Sequence, residues 1–196
     1  MALIQSTMLP LGSEAPDFQL PDTNGRLVSR DDFKDAAALL VLFICNHCPY
    51  VKHVRTELTR IGREYLPRGV AMVAINSNDP LASPNDSPEK MKLEVQEIGY
   101  PFPYLFDETQ ATAKAYKAAC TPDIFLFDRA GKLVYRGQID ASRPKNGLTS
   151  DGRDLREALD AVLNRMPVSE KQTPSIGCSI KWKPGNEPDY NGLAPT

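Results

Sequence analysis

Continuous apolar runs and amphipathic stretches alternate along this chain. Residues 39–44 and 70–75 are apolar without polar alternation, which is typical of strands covered on both faces of a sheet. Between them, apolar positions recur at three- and four-residue steps over 49–65, and a second such stripe follows over 88–98. The pattern predicts strand, helix, strand, helix. Because parallel strands joined by a right-handed crossover end at the same edge, we expect the loops after the two strands to lie side by side.

Shorter patterned segments flank this unit. Asn24-Gly25 between two short apolar runs predicts an N-terminal hairpin. The other predicted elements are a short helix over 107–116, a hairpin of strands 124–127 and 133–135, and a last helix over 153–165. From about Pro167 the chain is rich in proline, glycine and polar residues, which predicts an extended, loop-like tail. We therefore expect one α/β domain over 1–166, followed by a tail over 167–196.

Composition and charge narrow the range of partners. Of the 196 residues, 41% are hydrophobic and 24% are charged, which is ordinary for a globular domain. With a formal net charge of -2, nothing favours nucleic acid or an anionic membrane as a partner. The first residues have neither a cationic region nor a sustained apolar core, and no later apolar run is long enough to span a bilayer. We expect a cytoplasmic protein, and the sequence leaves its oligomeric state open.

Two of the four cysteines form a motif between a predicted buried strand and a predicted helix: Cys45-Asn46-His47-Cys48. Helix N-terminal N–H groups favour negative charge, so a cysteine pKa lowered from ~8.5 is expected here. Cys45, the outer cysteine, is the predicted nucleophile, and Cys48 is the predicted resolving cysteine. His47 is expected to stabilise the Cys45 thiolate, unless it faces solvent. Because Cys-x-x-Cys also occurs in zinc sites, metal binding by Cys45, His47, Cys48 and Cys120 stays open.

Three segments carry a resemblance to a known family. They are Gly12-Ser13-Glu14-Ala15-Pro16-Asp17-Phe18, Cys45-Asn46-His47-Cys48-Pro49-Tyr50-Val51 and Thr121-Pro122. Together they resemble the thioredoxin superfamily, most closely its peroxiredoxin-like (AhpC/TSA-like) branch that retains a thioredoxin-type Cys-x-x-Cys motif. The resemblance implies a thioredoxin fold, a central mixed sheet flanked by helices, here with an N-terminal β-hairpin extension and an extended C-terminal tail. It also implies a cis peptide bond at Pro122 and a Thr121 backbone that hydrogen-bonds an incoming peptide or disulfide.

Two departures from the family patterns bear on the reaction. Peroxiredoxins attack peroxide with a cysteine at the position of Cys48, three residues after a threonine or serine, but here that earlier residue is Cys45. Thioredoxins carry a buried acid six residues before the first cysteine, where this chain has Leu39. The resemblance therefore favours a thiol–disulfide oxidoreductase that needs no cofactor and no resident metal. A thiol peroxidase is the alternative, and a Cys/His metal-binding protein is the second alternative.

Three further residues are candidates for accessory roles. Cys120 immediately precedes Thr121, so we expect it near the dithiol, as a relay thiol or as a small buried hydrophobe. Arg143 is expected near Cys45, where it would stabilise a thiolate, or else as a solvated loop residue. Cys178 would exchange with the centre if the tail folds back. The expected partners are a disulfide-containing protein or small-molecule substrate and a cellular thiol reductant, with the reducing direction favoured.

Overall fold

Ten strands and four α-helices form the described part of the computed structural model, residues 3–190. The strands are β1 (Leu3–Gln5), β2 (Gln19–Pro21), β3 (Leu27–Ser29), β4 (Ala38–Phe43), β5 (Val70–Asn76), β6 (Tyr104–Phe106), β7 (Cys120–Thr121), β8 (Asp123–Asp128), β9 (Leu133–Arg136) and β10 (Ile176–Ser179). The helices are α1 (Pro49–Tyr65), α2 (Pro88–Ile98), α3 (Ala111–Ala115) and α4 (Arg153–Leu163). Among these residues, no helix combines the length and apolar character that crossing a bilayer requires.

A five-stranded mixed sheet forms the centre, in the order β6-β5-β4-β8-β9. Strand β4 pairs in parallel with β5 and antiparallel with β8, and all of its residues are buried. The apolar run without alternation thus lies in the middle of the sheet, as predicted. The α/β thioredoxin-like fold is confirmed, and the parallel β4–β5 pair places the loops after both strands at one edge.

Most predicted elements form close to their expected bounds. The N-terminal hairpin is the β2–β3 pair, and α2 begins behind Ser87, whose side chain accepts a hydrogen bond from the Lys90 N–H at 3.4 Å. The helix predicted from Asp107 starts later, at α3, because the Asp107 carboxylate caps it by accepting the N–H groups of Thr112 and Ala113 at 3.4 and 2.9 Å. Strand β6 is an addition, because three residues are too short for periodicity to reveal.

The tail is more ordered than the prediction of a loop-like extension. Strand β10 pairs antiparallel with β1 on one side and with β7 on the other. Beyond it, Trp182 is buried in the same apolar cluster as Phe125 of the central sheet. Sequence periodicity missed β10 because a four-residue strand containing glycine and serine carries little apolar alternation. The tail therefore packs against the domain and reaches the cis-proline segment.

Candidate active site

The Cys-x-x-Cys segment follows the end of β4 and leads directly into α1. Pro49 is the first residue of that helix, a position that suits proline because the first turn leaves N–H groups unpaired. Cys48 is therefore the N-cap residue, and Cys45 lies three residues earlier, outside the helix. Both side chains are buried, with exposed fractions of 1% for Cys45 and 0% for Cys48. The prediction was that the helix N-terminus acts on Cys45, but the cysteine at that terminus is Cys48.

Thr121 and Pro122 lie against the dithiol. The Thr121–Pro122 peptide bond is cis, which confirms the expectation from the family resemblance. Cys45 Sγ is 3.2 Å from Thr121 Oγ1, and Cys48 Sγ is 3.2 Å from the Thr121 carbonyl oxygen. Thr121 is also the strand partner of Cys178 in β10, so its backbone is already paired with a segment of the same chain. Both sulfurs of the motif thus contact one residue of the cis-proline segment.

The two thiols of the motif differ in how readily they ionise. The hydrogen bond from Cys45 lowers the pKa of Cys48 most, and Cys178 and the Val51 N–H lower it further against the effect of burial. The pKa of Cys45 is raised, because it donates that hydrogen bond, is buried and lies near the charge of Asp86. Sequence analysis expected the lowered pKa at Cys45. The thiolate of the reduced pair therefore resides on Cys48, which accepts the hydrogen bond from Cys45 and lies at the N-terminus of α1.

A buried aspartate, Asp86, connects the motif to the loop after β5. Its carboxylate accepts hydrogen bonds from the Asn46 N–H at 2.7 Å, the Ser83 hydroxyl at 2.7 Å and the Asn78 amide at 2.9 Å. Burial raises its pKa, but hydrogen bonds from His47, Asn78 and Ser83 outweigh burial, so the pKa is lowered and Asp86 is ionised. Sequence analysis missed Asp86. Its only signal was a place in a turn-rich loop at the active edge.

His47 pairs with this aspartate. The distance from His47 Nδ1 to Asp86 Oδ2 is 2.5 Å, and a His47 ring nitrogen, an Asp86 oxygen and Cys45 Sγ all lie within 4.8 Å of one another. Within residues 3–190 these three residues are the only such group of candidate metal ligands, and it includes neither Cys48 nor Cys120. Because His47 and Asp86 contact each other directly, the group fits proton transfer at Cys45 better than it fits a cation held between them.

Neither of the two accessory candidates has a hydrogen bond to the dithiol in the described part of the chain. Cys120 is fully buried, and its sulfur lies 3.5 Å from the Pro122 carbonyl oxygen. The Arg143 guanidinium donates to the carbonyl oxygens of Asp140 and Ser142, each at 2.7 Å. It borders a small cavity next to Pro122, and in the described part of the chain it has no hydrogen bond to the dithiol. Cys178, in contrast, is in direct contact, with its Sγ 2.8 Å from Cys48 Sγ.

Comparison with known proteins gives a family and several relatives. A family model described as the AhpC/TSA family matches residues 11–136. The thiol-disulfide oxidoreductase ResA of Geobacillus thermodenitrificans is 29% identical over 133 residues, which cover 66% of this chain and 70% of that relative. The family-model match over residues 11–136 includes the dithiol and the cis-proline segment.

Two solved structures resemble nearly the whole chain. An uncharacterized conserved protein from Geobacillus kaustophilus is 58% identical, with a TM-score of 0.93, and the match covers 94% of this chain and 98% of that one. A hypothetical protein from Sinorhizobium meliloti 1021 is 52% identical, with a TM-score of 0.92, and the match covers 93% of this chain and 100% of that one. The names of these two proteins do not state a biochemical activity.

Proposed function

Because the chain belongs to the AhpC/TSA family of thioredoxin-fold proteins, we propose that it is a thiol–disulfide oxidoreductase that works through Cys45 and Cys48. The supporting observation is that both sulfurs lie 3.2 Å from Thr121, one from its hydroxyl and one from its carbonyl oxygen, beside cis Pro122. A dithiol in that position is suited to a substrate disulfide brought to the cis-proline segment. The ResA relatives are named for the same reaction class.

The exchange takes place in two steps. Cys45 Sγ attacks one sulfur of the substrate disulfide, so a mixed disulfide forms and the other substrate sulfur leaves as a thiolate. Cys48 Sγ then attacks Cys45 Sγ, which forms the Cys45–Cys48 disulfide and releases the second substrate thiolate. Two electrons pass to the substrate, and a cellular thiol reductant restores the dithiol. In the mixed disulfide Cys45 no longer has a thiol hydrogen to donate, so the hydrogen bonds from Cys178 and the Val51 N–H are what still lower the pKa of Cys48 and favour its attack as a thiolate.

The first step needs an acceptor for the Cys45 proton. A ring nitrogen of His47 lies within 4.8 Å of Cys45 Sγ, and the ionised Asp86 stabilises the imidazolium that forms when His47 takes the proton. Asp86 alone disfavours a Cys45 thiolate, because two negative charges would then lie close together. Transfer of the proton to His47 removes that penalty by creating a thiolate–imidazolium pair. His47 and Asp86 therefore act as the activating pair for Cys45.

Insulin-disulfide reduction and trapping of mixed disulfides test the proposal. Cys48→Ser should stop turnover and accumulate mixed disulfides on Cys45, whereas Cys45→Ser should stop turnover and accumulate none. Cys120→Ser is the matched control, because it replaces an equally buried cysteine that does not contact the dithiol. If insulin reduction proceeds at the wild-type rate in both motif variants, the proposal is wrong.

A thiol peroxidase is the second candidate, because the cysteine with the lowered pKa is Cys48, the position that attacks peroxide in peroxiredoxins. In that reaction peroxide would oxidise Cys48 to a sulfenic acid. The Cys45 thiol would then condense with the sulfenic acid, which releases water and forms the same Cys45–Cys48 disulfide. Cys45 stands where peroxiredoxins carry threonine or serine, so we expect peroxide consumption no faster than that of free cysteine. Rapid consumption that is lost in Cys48→Ser but kept in Cys45→Ser would reverse this ranking.

A further inference from the structure

A third thiol contacts the dithiol from the C-terminal tail. Cys178 Sγ lies 2.8 Å from Cys48 Sγ, although 130 residues separate them in the chain. Cys178 is 5% exposed and is one of the two residues of β10 that pair with the cis-proline strand β7. Cys48 thus has a thiol partner from outside the motif in addition to Cys45.

Strand register explains why Cys178 reaches the dithiol. Residues directly opposite each other in an antiparallel pair share one face of the sheet. Cys178 is opposite Thr121, whose side chain contacts Cys45, so Cys178 points to the same face as the dithiol. Ser179 is opposite Cys120, and both point to the other face. A shift of register by one residue would remove Cys178 from the site.

The approach of the tail depends on Gly177. A Cβ atom there would lie 2.0 Å from the Thr121 carbonyl oxygen and 2.6 Å from its carbonyl carbon. Both distances are steric clashes, so any residue other than glycine would push the two strands apart. The tail is also held on both sides of Cys178. Before it, the Ser175 hydroxyl donates to the Gly137 carbonyl oxygen at 2.5 Å, and after it, the Ile180 N–H donates to Ala119 at 3.0 Å. The contact between the two sulfurs is thus part of the fold.

We propose that Cys178 is a third redox cysteine, which takes over the disulfide from Cys45 and Cys48. The inference rests on the proposed function. After a substrate disulfide is reduced, the Cys178 thiolate attacks Cys48 Sγ, the Cys48–Cys178 bond forms, the Cys45–Cys48 bond breaks and Cys45 leaves as a thiolate. The proton that Cys178 loses ends on Cys45, so atoms and electrons balance. Cys45 is then free again, and the external thiol reductant acts on the Cys48–Cys178 disulfide.

Electrostatics favours this order of events. In the reduced protein, burial and the neighbouring Cys48 raise the pKa of Cys178, so it stays a thiol while Cys48 carries the charge. Once Cys48 is joined to Cys45, that charge is gone and one cause of the raised pKa disappears. Cys178 therefore becomes a better nucleophile only after the first disulfide has formed. Its target is then the sulfur it already contacts.

Disulfide mapping of the full chain tests the inference. The reduced protein is treated with one equivalent of dithiobis-nitrobenzoate, free thiols are alkylated, and tryptic peptides are mapped without reduction. Cys45 and Cys48 lie in one tryptic peptide, 35–52, whereas Cys178 lies in another, 172–181. Transfer to Cys178 therefore joins two peptides that a Cys45–Cys48 disulfide leaves separate. We expect this linkage in the wild type and in Cys45→Ser, where only Cys48 can supply the partner sulfur.

Two variants complete the test. Cys178→Ala should lose the linkage and instead retain the disulfide within peptide 35–52, and Cys120→Ala should keep the linkage because Cys120 points away. If the wild type shows only the disulfide within peptide 35–52 and Cys178 is fully alkylated, the inference is overturned while the proposed function stands. If Cys178→Ala forms no disulfide within peptide 35–52, the proposed function itself fails. Cys178→Ser, with a side chain of similar size, repeats the test should the alanine variant be unstable.

Discussion

The cis-proline strand β7 has two sides that differ in their chemistry. On one side Thr121 contacts both cysteines of the motif, and its strand partner Cys178 joins them. Cys120, one residue earlier, points to the other side. Burial raises its pKa most, and the charges of Asp123 and Cys48 raise it further. Because adjacent strand residues point to opposite faces, a single step along the strand separates a thiol in contact with the dithiol from one that is not. Strand register, more than proximity in sequence, selects the thiols that meet.

The buried aspartates on the two sides differ in the same sense. Asp86, near the dithiol, is surrounded by donors, and its pKa is lowered. Asp123 has one carboxylate oxygen, Oδ1, without a hydrogen-bond partner in the described structure, and burial raises its pKa to about 7. The dithiol side therefore accommodates negative charge, and the Cys120 side disfavours it. The difference makes the two sides separable by experiment.

The largest expected effect comes from removing the close approach of the tail. In Gly177→Ala the new methyl group would collide with the backbone of Thr121, which cannot rotate away. We expect the free energy of unfolding to fall by about 3 kcal/mol, a value typical of severe overpacking. Because β10 must move away from β7, Cys48 should also be alkylated faster in the reduced protein. Urea unfolding and iodoacetamide labelling measure the two effects.

Gly62→Ala is the matched control for this comparison. It is the same substitution at a glycine of α1 that is also closely packed, with Pro101 Cγ 2.7 Å from the position of a Cβ atom. Its neighbours are the side chains of Pro101 and Phe102, which belong to neither β7 nor β10, so the substitution should change stability without changing the alkylation rate of Cys48. Equal labelling rates in the two variants would mean that the tail does not shield the dithiol.

A smaller effect is expected from Asp86→Asn. At pH 7 the free energy of unfolding of the variant should be about 2 kcal/mol lower than that of the wild type, because an amide group replaces a carboxylate that accepts hydrogen bonds from several buried donors. Because the pKa of Asp86 is lowered in the folded protein, Asp86 contributes to folding stability above its unfolded-state pKa of ~3.9. This contribution to stability is lost as the pH falls through the lower pKa of the folded state. The difference from wild type should therefore shrink below about pH 4. The pKa of Cys45 should fall, since the charge of Asp86 helps to raise it.

Asp140→Asn controls for the loss of a buried carboxylate. Asp140 also accepts several hydrogen bonds, including the Gly152 N–H at 2.7 Å, and its pKa is lowered because these bonds outweigh burial. It has no effect on the Cys45 pKa, so its substitution should reduce stability and leave the titration of Cys45 unchanged. Thiolate absorbance as a function of pH measures that titration. An unchanged Cys45 titration in Asp86→Asn would contradict the role given to Asp86.

Local patterns predicted the central fold well. The run without alternation in β4, the stripe of α1 and the capped start of α2 each carry a strong periodic or capping signal, and each formed where expected. The strands missed, β1, β6, β7 and β10, have between two and four residues. Segments this short owe their conformation to pairing with distant strands, which no local pattern records.

The site was predicted less completely than the fold. The motif was predicted from its local pattern, and the cis peptide bond at Pro122 was expected from the family resemblance. It did not find Asp86, and it weighed Cys120 by its place next to Thr121, although the alternation of β7 points it away. The contact of Cys178 with Cys48 depends on a register between segments far apart in the chain. The spacing of residues in the sequence specifies neither the register between β10 and β7 nor the burial that shifts the pKa values of the cysteines and Asp86.

The smallest expected effect tests the Cys120 side. Because the pKa of Asp123 is raised in the folded protein, Asp123 contributes to folding stability below its unfolded-state pKa of ~3.9. This contribution to stability is lost as the pH rises through about 7. At alkaline pH the substitution Asp123→Asn replaces a buried charge with a buried neutral amide, which costs less to bury. We therefore expect the free energy of unfolding to rise by about 1 kcal/mol at pH 8 and to stay unchanged at pH 4. Urea unfolding at both pH values measures it. The alkylation rate of Cys48 should stay at the wild-type value, and a changed rate would mean that the two sides of β7 are coupled.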